Sequence, residues 1–505
     1  MLACVTTFVI DGLEPHAVSV EADLRPGLPA FTIVGLGDRA VSEARERVRA
    51  ALLNSGYEFP LRRVTVNLAP AHLRKVGPGL DLAIACAILA ASGQIPAAAL
   101  APLAIIGELS LGGEVRPCRG ALAAAEGARS AGLEGVLVAC EQVSEASLVP
   151  DVAALGVPSL ARLAEALDPA RPPACPVEVD DGGGSPDPRT DVAPDLADVR
   201  GQRHAIEAIS VAASGGHNLL LTGPPGTGKT MLARRIPSIL PPLHGAAALE
   251  VTRIQGIAGL RRDAGLVTQP PFRAPHHTIS AVGLVGGGSP PAPGEVTLAH
   301  RGILFLDELS EFDRRALEAL RQPLEDGAVA IVRGQRVARF PSRFMLVAAT
   351  NPCPCGRTGS ACSCGEAELR RHERRLSGPL LDRVDLLVDV PRPTGIELLA
   401  PPATTSALVR ERVGAARERQ AARGLLNAEL RGRQLVDAAR PTSSARRLLR
   451  DAYDRDGLSA RGRERALRLA RTIADLDDVE RVDDEHLGQA LQYRSGRERL
   501  ARLAA

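Results

Sequence analysis

Tryptophan is absent from this sequence, and aromatic residues are rare, at 2% of 505 residues. A broad platform on which nucleic-acid bases could stack is therefore not expected. The formal net charge is only +2, so any contact with DNA would need a local basic patch. Hydrophobic residues make up 45% of the chain and charged residues 24%. This is the balance of a globular protein, with about two to four domains at this length.

Long apolar runs are also missing. No stretch approaches the ~18 uncharged apolar residues that a membrane-spanning helix needs, and the N-terminal segment lacks the basic flank and apolar run of a signal peptide. We therefore expect a cytoplasmic protein without a membrane partner. Nine cysteines are present, and in a reducing compartment the scattered ones are interpreted as ordinary thiols. These are Cys4, Cys86, Cys118, Cys140 and Cys175.

Lysine is nearly absent as well, because Lys75 and Lys229 are the only lysines among 61 basic residues. Arginine is the default cation here, so arginine clusters carry less information than usual. A retained lysine indicates a place that needs a compact, flexible ammonium group. Lys229 lies in a glycine-rich motif. For Lys75, an exposed surface position and a contact with an anion both remain open.

Composition changes along the chain predict its organisation. Residues 1–168 mix strand-like and helix-like segments, which indicates an α+β domain. Residues 169–193 are dense in Pro, Gly, Asp and Ser, as in a linker. Across residues 194–393 strands alternate with helices, which predicts an α/β core with a parallel sheet. Residues 394–505 are almost wholly helical and rich in arginine.

Residues 218–236 contain an apolar strand, then G-x-x-x-x-G-K-T, then a helix. This order is what a phosphate-binding loop (P-loop) requires, since backbone N–H groups and the helix N-terminus together bind anions. Lys229 would neutralise the β- and γ-phosphates of ATP, and the Thr230 hydroxyl would bind Mg²⁺. The predicted nucleotide contacts are Gly223, Pro224, Pro225, Gly226, Thr227, Gly228, Lys229, Thr230 and Met231.

Two further apolar strands end in polar residues suited to hydrolysis. The segment GILFLDEL ends in Asp307, which would hold Mg²⁺ through water, and Glu308, which would polarise the attacking water. The segment FMLVAATNPCP ends in Asn351, which would orient that water beside the γ-phosphate.

Arg383 follows in the segment SGPLLDRVD. One interpretation is an arginine finger, supplied to the nucleotide of a neighbouring subunit. The other is a local salt bridge with Asp382 or Asp385.

Four cysteines lie close together directly after Asn351, in the pattern C-x-C-x6-C-x-C. Four thiols at this spacing can supply a tetrahedral sulfur set, and we favour a structural Zn²⁺ site over two reduced thiol pairs. The predicted ligands are Cys353, Cys355, Cys362 and Cys364.

In this order, the motifs resemble those of AAA+ ATPases. The phrases FRAPHHTISAVGLVGGG, PGEVTLAHRGILFLDEL, ATNPCPCG and LSARGRERALRLARTIADL narrow the resemblance to the magnesium-chelatase-like branch, and in particular to the ComM/YifB family. The resemblance covers nearly the whole chain. It implies an ATP- and Mg²⁺-dependent hexameric ring that moves on DNA and drives branch migration during recombination in competent bacteria.

Two other functions were weighed against this one. The first is a chelatase subunit that drives metal insertion into a porphyrin. Two features argue against it: the domain of residues 1–168, which resembles a domain of Lon protease, and the cysteine cluster. The chelatase motor subunit as known lacks both. The second is a nucleotide-gated clamp or scaffold without catalysis. The complete set of hydrolytic residues argues against that.

The resemblance identifies residues 394–505 as a helical lid. It also assigns roles to residues of this lid and of the core. Arg461 resembles the second sensor arginine, which would contact the γ-phosphate within its own subunit. The remaining arginines on this helical face, Arg465, Arg468 and Arg471, equally fit a solvated helix. Val199 and Gln202 lie in a segment that resembles the loop beside adenine.

A hairpin predicted over residues 328–340, with its turn at Gly334, resembles one that faces the central pore of the ring. Arg333, Arg336 and Arg339 would then contact DNA phosphates. A solvated basic edge is the alternative interpretation.

The N-terminal domain resembles the C-terminal fold of Lon protease. Lon carries a catalytic serine where this chain has Gly79, and a lysine where this chain has Leu122. Since the nucleophile and its base are both missing, we predict no peptidase activity, and a role in assembly or DNA contact instead.

Overall fold

The computed structural model describes residues 1–35, 37, 39–75, 77–171, 174–175, 194–260, 265–288, 291–333, 336–357, 362–375, 378–455 and 458–502. Two compact units make up the chain. The first contains Met1–Pro186 and Gly245–Val267, and the second contains Asp187–His244 and Thr268–Ala505. Among the described residues, no helix has both the length and the apolar character needed to cross a bilayer.

The strands are β1 (Leu2–Asp11), β2 (Glu14–Arg25), β3 (Ala30–Val34), β4 (Arg63–Ala69), β5 (Leu103–Ile105), β6 (Glu108–Leu109), β7 (Val115–Arg116), β8 (Gly135–Val138), β9 (Ala153–Gly156), β10 (Leu219–Thr222), β11 (Phe272–Arg273), β12 (Gly286–Gly287), β13 (Ala292–Pro293), β14 (Ile303–Leu306), β15 (Ala328–Arg333), β16 (Arg336–Pro341), β17 (Met345–Thr350) and β18 (Leu386–Asp389).

The helices are α1 (Arg39–Asn54), α2 (Asp81–Ala91), α3 (Ala97–Leu100), α4 (Ala121–Ser130), α5 (Val143–Ala146), α6 (Leu163–Ala166), α7 (Arg203–Gly215), α8 (Lys229–Ala233), α9 (Ile236–Ile239), α10 (Gly245–Ala258), α11 (Ala281–Val285), α12 (Glu295–Leu298), α13 (Arg314–Ala319), α14 (Arg321–Asp326), α15 (Glu366–Arg375), α16 (Gly378–Leu381), α17 (Gly395–Leu399), α18 (Ser406–Ala422), α19 (Gly432–Ala439), α20 (Ser443–Arg455), α21 (Ala460–Leu476) and α22 (Asp484–Arg502).

The first unit is built on a mixed sheet with strand order β3-β4-β2-β1-β5-β8-β9. Strand β2 alternates buried Val18, Val20 and Ala22 with more exposed residues, so one face of the sheet packs on the core. Helix α2 is apolar on nearly all sides and almost wholly buried, as expected for a helix at the centre of a domain. This architecture agrees with the predicted α+β domain.

Helix α10 belongs to the first unit, although its sequence lies inside the nucleotide-binding half. Arg253 of α10 donates a hydrogen bond of 2.9 Å to Glu126 of α4, and Leu249 packs on the apolar cluster around α4. The whole segment from Gly245 to Val267 belongs to the first unit.

One sequence interpretation of the cysteines is corrected by the first unit. Cys140 and Cys175 form a disulfide, with their Cα atoms 5.4 Å apart, and so are not ordinary thiols. Cys175 lies in the segment interpreted as a linker, where it is 5% exposed and packs beside Gly156. The separation of 35 residues carries no pairing signal, which is why the sequence did not reveal the bond. Cys4, Cys86 and Cys118 are free.

Lys75 is also corrected, because it is not an exposed surface lysine. The residue is 0% exposed, and its ammonium group donates to the carbonyl of Pro70. Burial lowers the pKa of Lys75, since removal from water disfavours the charged form.

The second unit is built on a five-stranded sheet with strand order β11-β14-β17-β10-β18. All of its strand pairs are parallel, and the central strands β10, β14 and β17 are buried along their whole length. One apolar cluster joins this sheet to α7 and to the C-terminal helices. The structure thus confirms the predicted parallel α/β core with a helical lid.

Candidate nucleotide site

The P-loop connects the carboxyl end of β10 to the start of α8. Gly226 and Gly228 have positive φ angles of 76° and 92°, a conformation that glycine adopts without steric cost. At Gly223 a Cβ atom would lie 2.3 Å from the carbonyl oxygen of Val390. The glycines of the motif are therefore required by the path of the backbone.

Lys229 is the first residue of α8, and its ammonium group is surrounded by oxygen atoms. The Nζ atom donates to the carbonyls of Gly223 (2.6 Å) and Pro224 (2.8 Å) and to Oδ1 of Asn351 (3.2 Å). These three acceptors match the three donors of an ammonium group. Burial lowers the pKa of Lys229, and the charges of Asp307 and Glu308 partly offset that effect.

Thr230 and Asp307 meet directly, as the sequence predicts for two ligands of one Mg²⁺ ion. The Thr230 hydroxyl donates to Oδ2 of Asp307 over 2.7 Å. Hydroxyl and carboxylate oxygens are hard ligands of the kind that Mg²⁺ prefers, so this pair fits the metal.

Glu308 has an unusual backbone and an open side chain. Its φ angle is 50°, a left-handed conformation that costs about 1–3 kcal/mol in a residue other than glycine. The side chain is 62% exposed, and its Oε2 lies 4.0 Å from Nδ1 of His277. His277 was not singled out from the sequence. The only signal was its place in the family phrase APHHT.

Asn351 follows the carboxyl end of β17, next to the P-loop. Its side chain accepts a hydrogen bond from Lys229. Its backbone carbonyl lies 3.0 Å from Nε2 of His372 on α15. The backbone of the preceding residue, Thr350, accepts from the Gly223 N–H at 3.3 Å. Asn351 is thus tied to both ends of the P-loop.

The four cysteines predicted as metal ligands come together after Asn351. Their sulfur atoms all lie within 4.8 Å of one another. The S···S distances among Cys353, Cys355 and Cys362 are 3.3–3.6 Å, close to the roughly 3.8 Å expected for four ~2.3 Å bonds to Zn²⁺. Backbone N–H groups of Arg357 and Ser363 lower the pKa of Cys355 to about 5, which favours the thiolate form that binds metals, whereas burial raises the pKa of Cys353 to about 12. The donor set therefore fits a tetrahedral metal.

The cysteine loop also contacts the P-loop. A Cβ atom at Gly356, whose φ angle is +71°, would lie 2.7 Å from Cδ of Pro225. Only glycine permits this approach between the two loops.

Arg383 lies at the opposite end of the sheet from these residues. It precedes β18, whose Leu386 pairs in parallel with Leu219 of β10, whereas the P-loop follows the other end of β10. Four residues of strand, about 13 Å, separate the two ends. The side chain is 9% exposed and forms an ion pair with Glu325 of α14, a partner that the sequence did not suggest. Arg383 is therefore separate from the P-loop of its own chain.

Arg461 is exposed in the first turn of α21. One helical turn later, Nε of Arg465 lies 3.6 Å from Asp385, beside Arg383. Further along α21, Thr472 contacts His217 over 2.7 Å, just before β10 begins. Since α21 follows the amino end of the sheet, this position does not fit the expected contact between Arg461 and the γ-phosphate of its own subunit.

Arg465, Arg468 and Arg471 of α21 do not form a solvated face, which corrects that alternative. Arg471 is 1% exposed and pairs with Asp475 at 3.0 Å. Arg468 is partly buried and donates to the carbonyl of Leu430 at 2.6 Å. Both act as structural residues of the lid.

The remaining predicted contacts are placed as follows. Val199 is fully buried, and Gln202 has a left-handed backbone and donates from Nε2 to the carbonyl of Pro391 over 2.6 Å. Met231 packs on the core of the second unit. These residues line the region where the chain enters α7 and the P-loop helix.

Strands β15 and β16 form the predicted hairpin, with Arg333 paired to Arg336. Its turn at Gly334 and the side chains of both arginines lie outside the described residues. Arg339 is exposed on β16, where it remains available to a phosphate.

The Lon-like position in the first unit contains a thiol that the sequence did not indicate. A Cβ atom at Gly79 would lie 3.5 Å from Sγ of Cys118, and Leu122 is 1% exposed. Burial raises the pKa of Cys118 to about 12, so this thiol stays protonated and does not replace the missing nucleophile.

Comparison with known families agrees with the site. Residues 195–398 match a family described as magnesium chelatase, subunit ChlI. Residues 20–142 match subunit ChlI of Mg-chelatase, and residues 403–494 match its C-terminal part. The Lon-like segment thus also matches a chelatase family. Its presence does not by itself distinguish a DNA motor from a chelatase subunit.

Similar proteins cover nearly the whole chain. An uncharacterised protein of Mycobacterium tuberculosis is 45% identical, over 96% of this chain and 97% of its own. YifB of Escherichia coli and the competence protein ComM of Haemophilus influenzae are each 41% identical, over 98% of this chain and 97% of theirs. The chain therefore belongs to the ComM/YifB family of magnesium-chelatase-like AAA+ proteins.

Proposed function

We propose that this protein is an ATP-driven DNA motor of the branch-migration type, which acts in homologous recombination and natural transformation. The observation that carries the proposal is the division of the hydrolytic residues between the two ends of one sheet. Lys229, Thr230, Asp307 and Asn351 lie at the carboxyl end, and Arg383 lies at the amino end. A site divided in this way is completed when one subunit meets the next.

In hydrolysis, the P-loop would bind the phosphates and Lys229 would exchange its carbonyl acceptors for phosphate oxygens. Thr230 and Asp307 would hold Mg²⁺, which neutralises charge on the phosphates when bound. Glu308, which is exposed toward solvent, would accept a proton from the attacking water. Asn351 would orient that water.

The position of Arg383 supports the proposal of a ring. Release from Glu325 would let the guanidinium reach the nucleotide of the adjacent subunit, where an arginine stabilises the charge of the transition state. A closed ring satisfies every site at once, because each subunit both receives and supplies an arginine. We propose six subunits, as the family resemblance implies.

Two observations support DNA as the partner. The hairpin β15–β16 presents the exposed Arg339, which suits a sequence-independent contact with phosphates. A relative with 41% identity is named a competence protein.

We also propose a structural Zn²⁺ bound by Cys353, Cys355, Cys362 and Cys364. The metal would hold the loop that connects Asn351 to α15 and packs on Pro225. Elemental analysis of purified protein should find one zinc per chain, lost in a Cys362→Ser, Cys364→Ser double variant and kept in Cys4→Ser, whose cysteine is exposed elsewhere. Zinc-free protein with four reduced thiols would contradict the proposal.

A synthetic four-way DNA junction tests the main proposal. Wild type with ATP should resolve the junction, and Glu308→Gln should bind ATP but lose resolution by about 100-fold or more. Glu311→Gln is a matched control, because Glu311 lies three residues further on and contacts Arg375 at 3.8 Å. It should behave as wild type.

Absence of junction resolution, together with ATP hydrolysis that DNA does not stimulate, would exclude the DNA motor. A chelatase-like remodelling subunit would then be favoured if hydrolysis persists. A nucleotide-gated clamp would be favoured if ATP binds without turnover.

A further inference from the structure

Asp385 lies where the start of β18 meets the lid. Its Oδ2 accepts a hydrogen bond from the N–H of Asn218 at 3.1 Å and lies 3.7 Å from Nδ1 of His217. Its Oδ1 lies 3.6 Å from Nε of Arg465 on α21. The Asp385 side chain is only 10% exposed, and polar contacts are stronger in such a low-dielectric setting.

The lid contacts this segment at two more points. Thr472 of α21 lies 2.7 Å from Nε2 of His217, so His217 links the helix to Asp385. Arg494 of α22 donates to the backbone carbonyl of Asp385 over 3.5 Å. Two lid helices are thus tied to one short stretch of the core.

The same stretch fixes the backbone of Arg383. The side chain of Asn218 donates to the Arg383 carbonyl at 2.9 Å, and the backbone carbonyl of Asn218 accepts from the N–H of Asp385 at 2.9 Å. Asn218 Oδ1 also accepts from the Leu346 N–H at 2.9 Å. Arg383 therefore sits on a rigid base made by three neighbouring strands.

We propose that Asp385 is a positioning residue that holds Arg383 and the lid helix carrying Arg461 as one unit. Both arginines are then presented together to the nucleotide of the adjacent subunit. This inference rests on the proposed ring-shaped ATPase. A displacement of about 1 Å of a catalytic group can cost on the order of 100-fold in rate, so the carboxylate matters although it is distant from its own P-loop.

Asp385→Asn tests the proposal, because it keeps the size of the side chain and removes its charge. Alone, the variant should bind a fluorescent ATP analogue as wild type does and hydrolyse ATP about 10- to 100-fold more slowly. Mixed with Glu308→Gln subunits, it should recover several-fold in turnover. In mixed rings the Asp385→Asn site keeps its own Glu308 and receives well-placed arginines from its neighbour.

Arg383→Ala mixed with Glu308→Gln is the control for the ring itself. If Arg383→Ala is fully active, or is not rescued by mixing, Arg383 does not act on the nucleotide of the adjacent subunit. The proposed function is then wrong on this point, independently of the result for Asp385. If Arg383→Ala is rescued, the experiment isolates the contribution of Asp385.

Wild-type turnover in Asp385→Asn would overturn the inference. So would a loss of turnover that mixing does not rescue, because local damage to the site of the variant itself cannot be repaired by a neighbour. Should Asp385→Asn fail to fold, Arg465→Gln removes the contact from the lid side. It should show the same loss and rescue, and wild-type turnover there would equally overturn the inference.

Discussion

The hydroxyl of Thr230 and the carboxylate of Asp307 are hydrogen-bonded at 2.7 Å, although 77 residues separate them in the sequence. The contact brings together the end of the P-loop and the end of β14. At this separation one Mg²⁺ ion could contact both oxygen atoms, as the proposed role of the two residues requires.

Two replacements of Thr230 should distinguish the contribution of its hydroxyl to activity from that of the rest of the side chain. Thr230→Ser keeps the oxygen and should retain most of the activity. Thr230→Ala removes a metal ligand and should weaken Mg²⁺-dependent hydrolysis by at least about 10- to 100-fold. The rate of ATP hydrolysis, measured over a range of Mg²⁺ concentrations, tests both variants. Equal Mg²⁺ dependence in the two variants would contradict the assignment.

Lys229→Arg should abolish tight ATP binding, even though arginine is the usual cation of this chain. Three convergent oxygen acceptors enclose the Nζ atom, and a planar guanidinium is too large for that position. Lost charge-assisted hydrogen bonds of about 1.5–3 kcal/mol each predict binding that is at least 10-fold weaker. Calorimetric titration with ATP tests this. Lys75→Arg is the matched variant in the first unit and should leave ATP affinity unchanged.

Gly356→Ala should impair ATP binding through the contact between the cysteine loop and the P-loop. The new methyl group would meet Pro225 at 2.7 Å at a positive φ angle, and Pro225 is part of the P-loop. We expect ATP affinity to fall by about 10-fold, from a strain on the order of 1–3 kcal/mol. Gly365→Ala, where no atom of the described residues lies within 4 Å of the added carbon, should bind ATP normally. Equal affinities would show that the two loops are not coupled.

Asp385 should make the stability of the second unit sensitive to acid. Burial raises the pKa of this carboxyl, but His217, Arg465 and the Asn218 N–H outweigh burial and lower it below the usual value of about 3.8. A lowered pKa in the folded state contributes stability above pH ~3.8 and loses it as pH falls through the folded-state pKa.

Wild type should therefore exceed Asp385→Asn in free energy of unfolding by about 1–3 kcal/mol at pH 7. The difference should shrink below pH ~4. Urea unfolding of both proteins at several pH values measures it. A difference that stays constant with pH would show that the charge of Asp385 is not stabilising.

Local sequence was sufficient to predict the centre of the site. The P-loop glycines and Lys229 are adjacent in the chain, and the buried strands that end in Asp307 and Asn351 are recognisable by their apolar runs. Because parallel strands end at one edge of a sheet, their polar residues were expected to meet. The cysteine cluster was also predictable from local sequence, because all four proposed ligands lie within one short segment.

Partners that are distant in sequence and lie outside a recognised motif were not predictable. Glu325 lies 58 residues from Arg383, and no periodicity connects them. A solvated helix face was left open as an alternative for the buried Arg471, because an amphipathic pattern does not show which arginines a neighbouring helix covers. The position of Arg461 relative to the P-loop depended on the direction in which α21 crosses the sheet. Only the fold supplies that direction.

The two lysines have a consequence for chemical labelling. Each places its amine out of solvent, Lys75 in the first unit and Lys229 in the second. A reagent that acylates primary amines can modify either side chain only after a local opening exposes it. The rate at which the reagent modifies Lys229 would then report occupancy of the P-loop. The rate at which it modifies Lys75 would report opening of the first unit. The scarcity of lysine thus gives each unit one built-in chemical reporter.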